Sequence, residues 1–154
     1  MCRIAYDKND RRNIWGALTI MPMKEETIFR ILRGEFEEHN ITPDDIFTYE
    51  DRHEYTGYIA SATIRPEHKI HLRGLVRDVF DYWCEQYPNV KINKLYAYAS
   101  SDTGWELVSH FYFAPRYDIG DNAFELDLSR RNPNRLVSDF QSCLRKKTGK
   151  PVTR

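Results

Sequence analysis

The sequence predicts an α/β protein of the mixed α+β kind: one sheet of mixed strand direction with helices packed on it. Three observations predict it. Leu72, Leu75, Val76, Val79, Phe80, Trp83 and Tyr87 form one unbroken apolar stripe at helical spacing. The β-rich runs "YTGYIASATI" and "VKINKLYAYA" lie on either side of that helix. The whole chain then orders as strand, strand, helix, strand, helix, strand, helix, strand, strand, helix.

"RIAYDKNDRRNIWGALTIMP" opens the chain as two strands around a polar turn, because Asp and Asn favour turns. Pro22 is expected to stop the second strand. "KEETIFRILRGEFEEH" follows as a helix with Ile28, Ile31 and Leu32 on one face, and Gly34 marks an early end. A connector, "NITPDDIFTYEDRHEY", leads to the mostly apolar run closed by Pro66, which is expected at the centre of the sheet. Pro88 ends the long helix. Ile92, Leu95, Ala97 and Ala99 alternate with Tyr96 and Tyr98 in the next strand. "SDTGWELVSHF" is a short helix with Ser101 or Asp102 as its cap. "YFAPRYD" and "NAFELDLS" make a last strand pair. In "NPNRLVSDFQSCLRK" Asn132 is the expected cap and Pro133 fits the first turn, with Leu136, Val137, Phe140 and Leu144 on one face.

The 154 residues fit one domain over 1–147, followed by a basic flexible tail over 148–154. The last ten residues hold five Lys or Arg and no acid, yet the chain as a whole balances 23 bases against 23 acids. That neutrality argues against bulk electrostatic binding to nucleic acid or a membrane surface. No run reaches the roughly 18 apolar residues of a membrane span, and the start has no apolar signal stretch. Cys2, Cys84 and Cys143 are odd in number and lack metal-like spacing, so free thiols in a reducing cytoplasm are expected. No metal site is expected either: His68 and His71 stand three apart with no Cys or carboxylate pattern beside them.

Two features invite a chemical reading. Ten carboxylates lie between Glu25 and Glu54, which is either a solvated acidic face or a patch that receives a cationic substrate amine. The turn that opens the long helix gathers His68, Lys69, His71 and Arg73. A helix start offers unpaired N–H groups and partial positive charge, so it suits an anion. The alternative is an exposed basic loop that faces an acidic remainder.

Four stretches together resemble the GNAT-type acetyl-CoA-dependent N-acetyltransferase superfamily. "RIAYDKNDRRNIWGALTIMP" is similar to the family's hairpin. "YIASATIRPEHKIHLRGLVRDVF" resembles the strand that ends in "V-x-P-E" and opens through the pyrophosphate loop into a helix. "INKLYAYASS" is similar to the next strand, and "WELVSHFYF…FELDL" resembles the closing helix and strand pair. The resemblance covers most of residues 3–128 and implies a GNAT-like, mostly antiparallel mixed sheet with flanking helices. It implies acetyl-CoA as cofactor and an amine as acceptor. Backbone of Ala62, Thr63 and Ile64 would hold the pantetheine, and Lys69, Ile70, His71, Leu72, Arg73 and Gly74 the pyrophosphate. Glu67 and His110 are the general-base candidates by family geometry.

The chain departs from the family at several points. Its loop pattern, Gln/Arg-x-x-Gly-x-Gly/Ala, falls on Lys69, Leu72 and Gly74, so Leu72 replaces a glycine. The tyrosine that often acts as general acid falls on Val108, and Tyr112 stands where a glycine precedes the closing Phe113. The family's strand–helix–helix beginning is absent, with a helix inserted after the hairpin instead. Two readings therefore stay open. One is acyl transfer from a CoA thioester to an amine; the other is a non-catalytic binding or regulatory module on the same fold, acting with a protein partner.

Overall fold

The computed structural model describes residues 1–149. Its elements follow the expected order: β1 (Cys2–Asp7), β2 (Asp10–Met23), α1 (Glu25–Leu32), β3 (Glu54–Ile64), α2 (Ile70–Gln86), β4 (Lys91–Tyr98), α3 (Asp102–His110), β5 (Ala114–Pro115), β6 (Ala123–Asp127) and α4 (Arg135–Thr148). One six-stranded sheet runs β1-β2-β3-β4-β6-β5. Every neighbouring pair is antiparallel except β3 with β4. The mixed, mostly antiparallel sheet with flanking helices is thus the architecture, and β3 and β4 are its middle.

Both faces of the sheet are covered, which explains why β3 and β4 carry apolar residues at successive positions. On one face α2 and α4 pack together, with Phe80 stacked on Phe140 at 4.9 Å and Trp83 buried among Leu95, Ile92 and Tyr55. On the other face α1 lays Ile28, Ile31 and Leu32 against Tyr58 and Tyr96. Tyr96 anchors α1 electrostatically as well. Its hydroxyl donates towards the carboxylates of Glu25 and Glu125, and the Arg116 guanidinium joins Glu125 and Asp118.

Local signals set most boundaries. Gly34 has φ 73° just past α1, a left-handed conformation that glycine adopts without steric cost, and the helix stops there as expected. The Ser101 hydroxyl caps α3 by accepting from the N–H of Gly104.

Three expectations are corrected. Pro22 does not end β2; the strand runs through it to Met23. β1 has already stopped at this level, so the ring nitrogen faces an edge with no ladder bond to lose, and the Pro22 carbonyl accepts from the N–H of Phe47 there. The cap of α4 is Asn134, not Asn132. Asn134 Oδ1 accepts from the N–H groups of Leu136 and Val137, while buried Asn132 holds Asn134 and the carbonyl of Phe111. Cys84 and Cys143 are not free thiols. They form a disulfide between α2 and α4 across a Cα–Cα distance of 6.3 Å, and Cys2 alone is free.

No helix among the described residues is long and apolar enough to cross a membrane. Of the expected basic tail, Thr148 is the last residue of α4 and Gly149 caps it in a left-handed conformation. The remainder, residues 150–154, lies outside the described residues.

Candidate functional site

The two central strands part company. β3 and β4 pair from Glu54↔Lys91 to Ile59↔Ala97, and there the ladder stops. β3 continues to Ile64 with only β2 beside it, while the chain after Tyr98 turns away into α3. The N–H of Arg65 donates to the carbonyl of Trp15, which fixes which residues face β2. By strand alternation the N–H and C=O of Ala62 and Ile64 then face the opening. Gly16 lets β2 lie against this stretch. A Cβ there would stand 2.4 Å from the Thr63 carbonyl oxygen and 2.5 Å from Ile64 Cδ1.

A cleft lies on each side of the fork. The first, about 290 Å³, is walled by Ile64, by Lys69, Leu72 and Arg73 from the start of α2, and by Glu106 and His110 from α3. The start of α2 is not the open fan of N–H groups that a glycine-rich loop would give. A short 3₁₀ turn, Pro66–His68, feeds into the helix, and the N–H groups of His68, Lys69 and Leu72 already donate to Arg65, Pro66 and Lys69. Those of Ile70 and His71 are unpaired among the described residues, and no side chain caps the helix. Lys69 Nζ sits 3.7 Å from a carboxylate oxygen of Glu106 across the cleft. Arg73 is exposed, and Gly74 faces open space.

The two histidines of the turn are held differently from the expectation of loose positive charge. His68 stacks on Trp15 with ring centroids 4.2 Å apart, and His71 tilts against the same indole at 4.9 Å. Lys69 and Arg73 are therefore the side-chain cations that line the cleft. Ile70 points into solvent, 80% exposed. Thr63 is exposed, and Ala62 and Ile64 are half-buried.

The two acid–base candidates are not brought together. Glu67 is exposed in the 3₁₀ turn and lines neither cleft at the fork. His110 ends α3 on the wall of the first cleft, its ring edge-on to Phe111 at 5.2 Å. Val108 is buried in α3, so no hydroxyl is presented from that position. Tyr112 adopts φ 57° with its side chain exposed. A glycine would take that conformation freely.

The second cleft was missed as a unit. It measures about 810 Å³ and opens on the α1 face, lined by Phe36, Glu37 and Glu38 after α1, by Tyr58 and Tyr98 from the sheet, and by Asp121. Tyr58 precedes the last paired residue of β3 and Tyr98 follows the last paired residue of β4, so this cleft opens at the fork itself. The Tyr58 hydroxyl donates to Glu38 Oε1. Burial pushes the Tyr58 phenol well above its ordinary range, and the hydrogen bond to Glu38 adds to that, so it stays a donor. The excess of acid in 25–54 was the available sequence signal. Which acids face a cavity depends on the short turns at Glu38–Asn40 and Pro43–Asp45, which have no periodicity to read. No group of three or more His, Cys, Asp or Glu side chains among the described residues could hold a metal ion.

No family model matches this chain, and no curated protein does. Solved structures do. The crystal structure described as AtaTR bound with AcCoA superposes with a TM-score of 0.52 at 14% identity, over 82% of this chain and 66% of that one. The two share a fold. This chain spans just under two thirds of its neighbour's length, and the likeness extends to the fold: a mixed, mostly antiparallel sheet with flanking helices, as expected from the sequence.

Proposed function

We propose that this protein binds acetyl-CoA in the first cleft and transfers its acetyl group to an amine at the fork. The observation that carries the reading is the parting of β3 and β4 beyond Ile59↔Ala97, with the α2 start at the far end of the opening. The unpaired backbone of Ala62 and Ile64 offers a thioester arm the bonds of a missing strand. Lys69, Arg73 and the free N–H groups of Ile70 and His71 suit the pyrophosphate. The solved neighbour is one bound with AcCoA, which agrees with this assignment.

In the reaction a neutral amine nitrogen attacks the thioester carbonyl carbon, the C–S bond breaks, and the proton lost by nitrogen ends on the thiolate sulfur. The protein supplies alignment and stabilisation of the oxyanion. His110→Ala and Glu67→Gln test the two sequence-derived proton carriers. A drop in kcat with unchanged acetyl-CoA affinity marks the one that acts.

A specific observation favours the second reading, a non-catalytic binding module working with a protein partner. Leu72 occupies the cleft wall where a glycine would admit phosphate closely, and Glu106 already engages Lys69. Calorimetric titration with acetyl-CoA followed by thiol release in the presence of amines separates the two. Binding with turnover supports transfer, and binding without turnover supports the module.

A further inference from the structure

We infer that the free edge of β1 docks a second copy of this chain. β1 pairs antiparallel with the partner's β1 about a two-fold axis at Ala5, so that two six-stranded sheets join into one. The inference stands apart from the acyl-transfer reading, because no residue of β1 lines either cleft at the fork.

The two edges of the sheet are unlike. β5 is two residues long and holds Pro115, which blunts that edge. β1 is six residues long, Cys2–Asp7, and carries neither Pro nor Lys. Met1 and Ile20 exchange both of their ladder bonds, so by strand alternation Arg3 and Ala5 face β2. The N–H and C=O groups of Cys2, Ile4 and Tyr6 then face outward, and no other backbone among the described residues bonds to them. The side chains along this edge are apolar and uncovered. Ile4 is 50% exposed and Tyr6 41%, and Ile14, which pairs with Tyr6 across the hairpin, is 46% exposed. They form a strip on the sheet face opposite α2, since Arg3 on the other face reaches Asp78 of that helix. An open, apolar edge of this length is a template for another strand.

Self-complementarity names the occupant. With Ala5 on the axis, Ile4 stands opposite the partner's Tyr6, and each such pair exchanges two backbone bonds because both residues face outward. Arg3 then stands opposite the partner's Asp7, twice by symmetry, with Cβ atoms about 4.5–5.5 Å apart. Both side chains are half-buried and short of partners. Arg3 Nε is buried without a hydrogen bond among the described residues and lies 3.7 Å from Asp78, while Asp7 accepts from the N–H of Asn9 on Oδ1. An axis at Ile4 would set Arg3 against the partner's Ala5 and forgo both ion pairs. A two-fold contact uses the edge up, so assembly stops at the dimer. Two short strands make an interface below the roughly 1,200 Å² of a stable complex, so the association is weak and depends on concentration.

Sedimentation equilibrium at rising protein concentration tests the inference. Wild-type protein should pass from monomer to dimer and no further. Ile4→Lys, at an exposed position, should weaken dimerisation at least tenfold with an unchanged urea midpoint. Asp7→Arg should do the same by facing Arg3 with a like charge, and adding Arg3→Asp to it should restore the dimer. In a Cys2→Ser background, Ala5→Cys should give a covalent dimer on mild oxidation, because the two thiols meet on the axis. Glu26→Cys in the same background, exposed on α1, should give none. A monomer at every concentration overturns the inference. So does a dimer that Ile4→Lys and Asp7→Arg leave intact, or one that Ala5→Cys fails to trap.

Discussion

Ile59 and Ala97 are the last residues that β3 and β4 share, and β3 runs on from Ile59 to Ile64 with a strand on one side only. The consequence is measurable at the backbone. Amide hydrogens of Ala62 and Ile64 should exchange quickly, and those of Thr63 and Arg65, which face β2, should be protected. Acetyl-CoA should slow the exchange at Ala62 and Ile64. Equal protection at all four positions without ligand would mean that the fork is closed.

Lys69 and Glu106 form an ion pair across the first cleft, and the two residues should respond oppositely to substitution. Lys69→Ala and Arg73→Ala should each weaken acetyl-CoA binding by about 1–3 kcal/mol, the range of charge-assisted hydrogen bonds. Glu106→Gln releases Lys69 and removes a negative charge near the phosphates, so it should tighten binding by about 0.3–1 kcal/mol. A weaker complex for Glu106→Gln would show that the carboxylate positions the lysine rather than competing for it.

Trp83 is 1% exposed at the α2–α4 seam, and its indole N–H donates to the Tyr49 hydroxyl at 3.1 Å. Trp83→Ala should cost about 3–5 kcal/mol in urea unfolding. Near-wild-type stability would remove Trp83 from the core.

Tyr112 holds φ 57° with an exposed ring, so its left-handed backbone is not offset by burial. Tyr112→Gly should raise stability by about 0.5–1 kcal/mol, part of the left-handed penalty being returned as unfolded-state entropy. A loss of stability would indicate that the ring makes a contact worth more than the strain.

Three phenols keep their protons more firmly in the folded state. Burial pushes Tyr49 up to about 12, and burial with carboxylate hydrogen bonds raises Tyr58 and Tyr96 further. An unfolded tyrosine ionises near pH 10. Below about pH 10 both states hold the proton and the contribution is fully present. Above it the unfolded chain sheds protons that the folded chain retains, so stability falls as pH rises towards the folded pKa values. Urea unfolding at about pH 9 and 11 should show the fall, and Tyr49→Phe should make it shallower. An unchanged slope in Tyr49→Phe would contradict the assignment for that residue.

The sequence carried the fold because its elements are periodic. The stripe from Leu72 to Tyr87 and the alternation around Leu95 follow directly from burial on one face, and burial is local in its pattern. Pro22 and the Asn134 cap were misplaced because each depends on a neighbour far along the chain: where β1 ends, and where the Phe111 carbonyl lies. The Cys84–Cys143 bond spans 59 residues and leaves no spacing to recognise. Lys69 and Arg73 were legible as cleft cations because they flank a strand-to-helix turn. Glu38 and Tyr58 were not, since their meeting is made by an irregular connector folded back over the sheet.

The central claim is that the fork and the start of α2 receive acetyl-CoA. Isothermal titration of acetyl-CoA into the wild-type protein and into Lys69→Ala tests it most directly. The account predicts saturable binding to one site, weakened about fivefold or more by the substitution. Absence of binding at millimolar acetyl-CoA, or binding indifferent to Lys69, would contradict it.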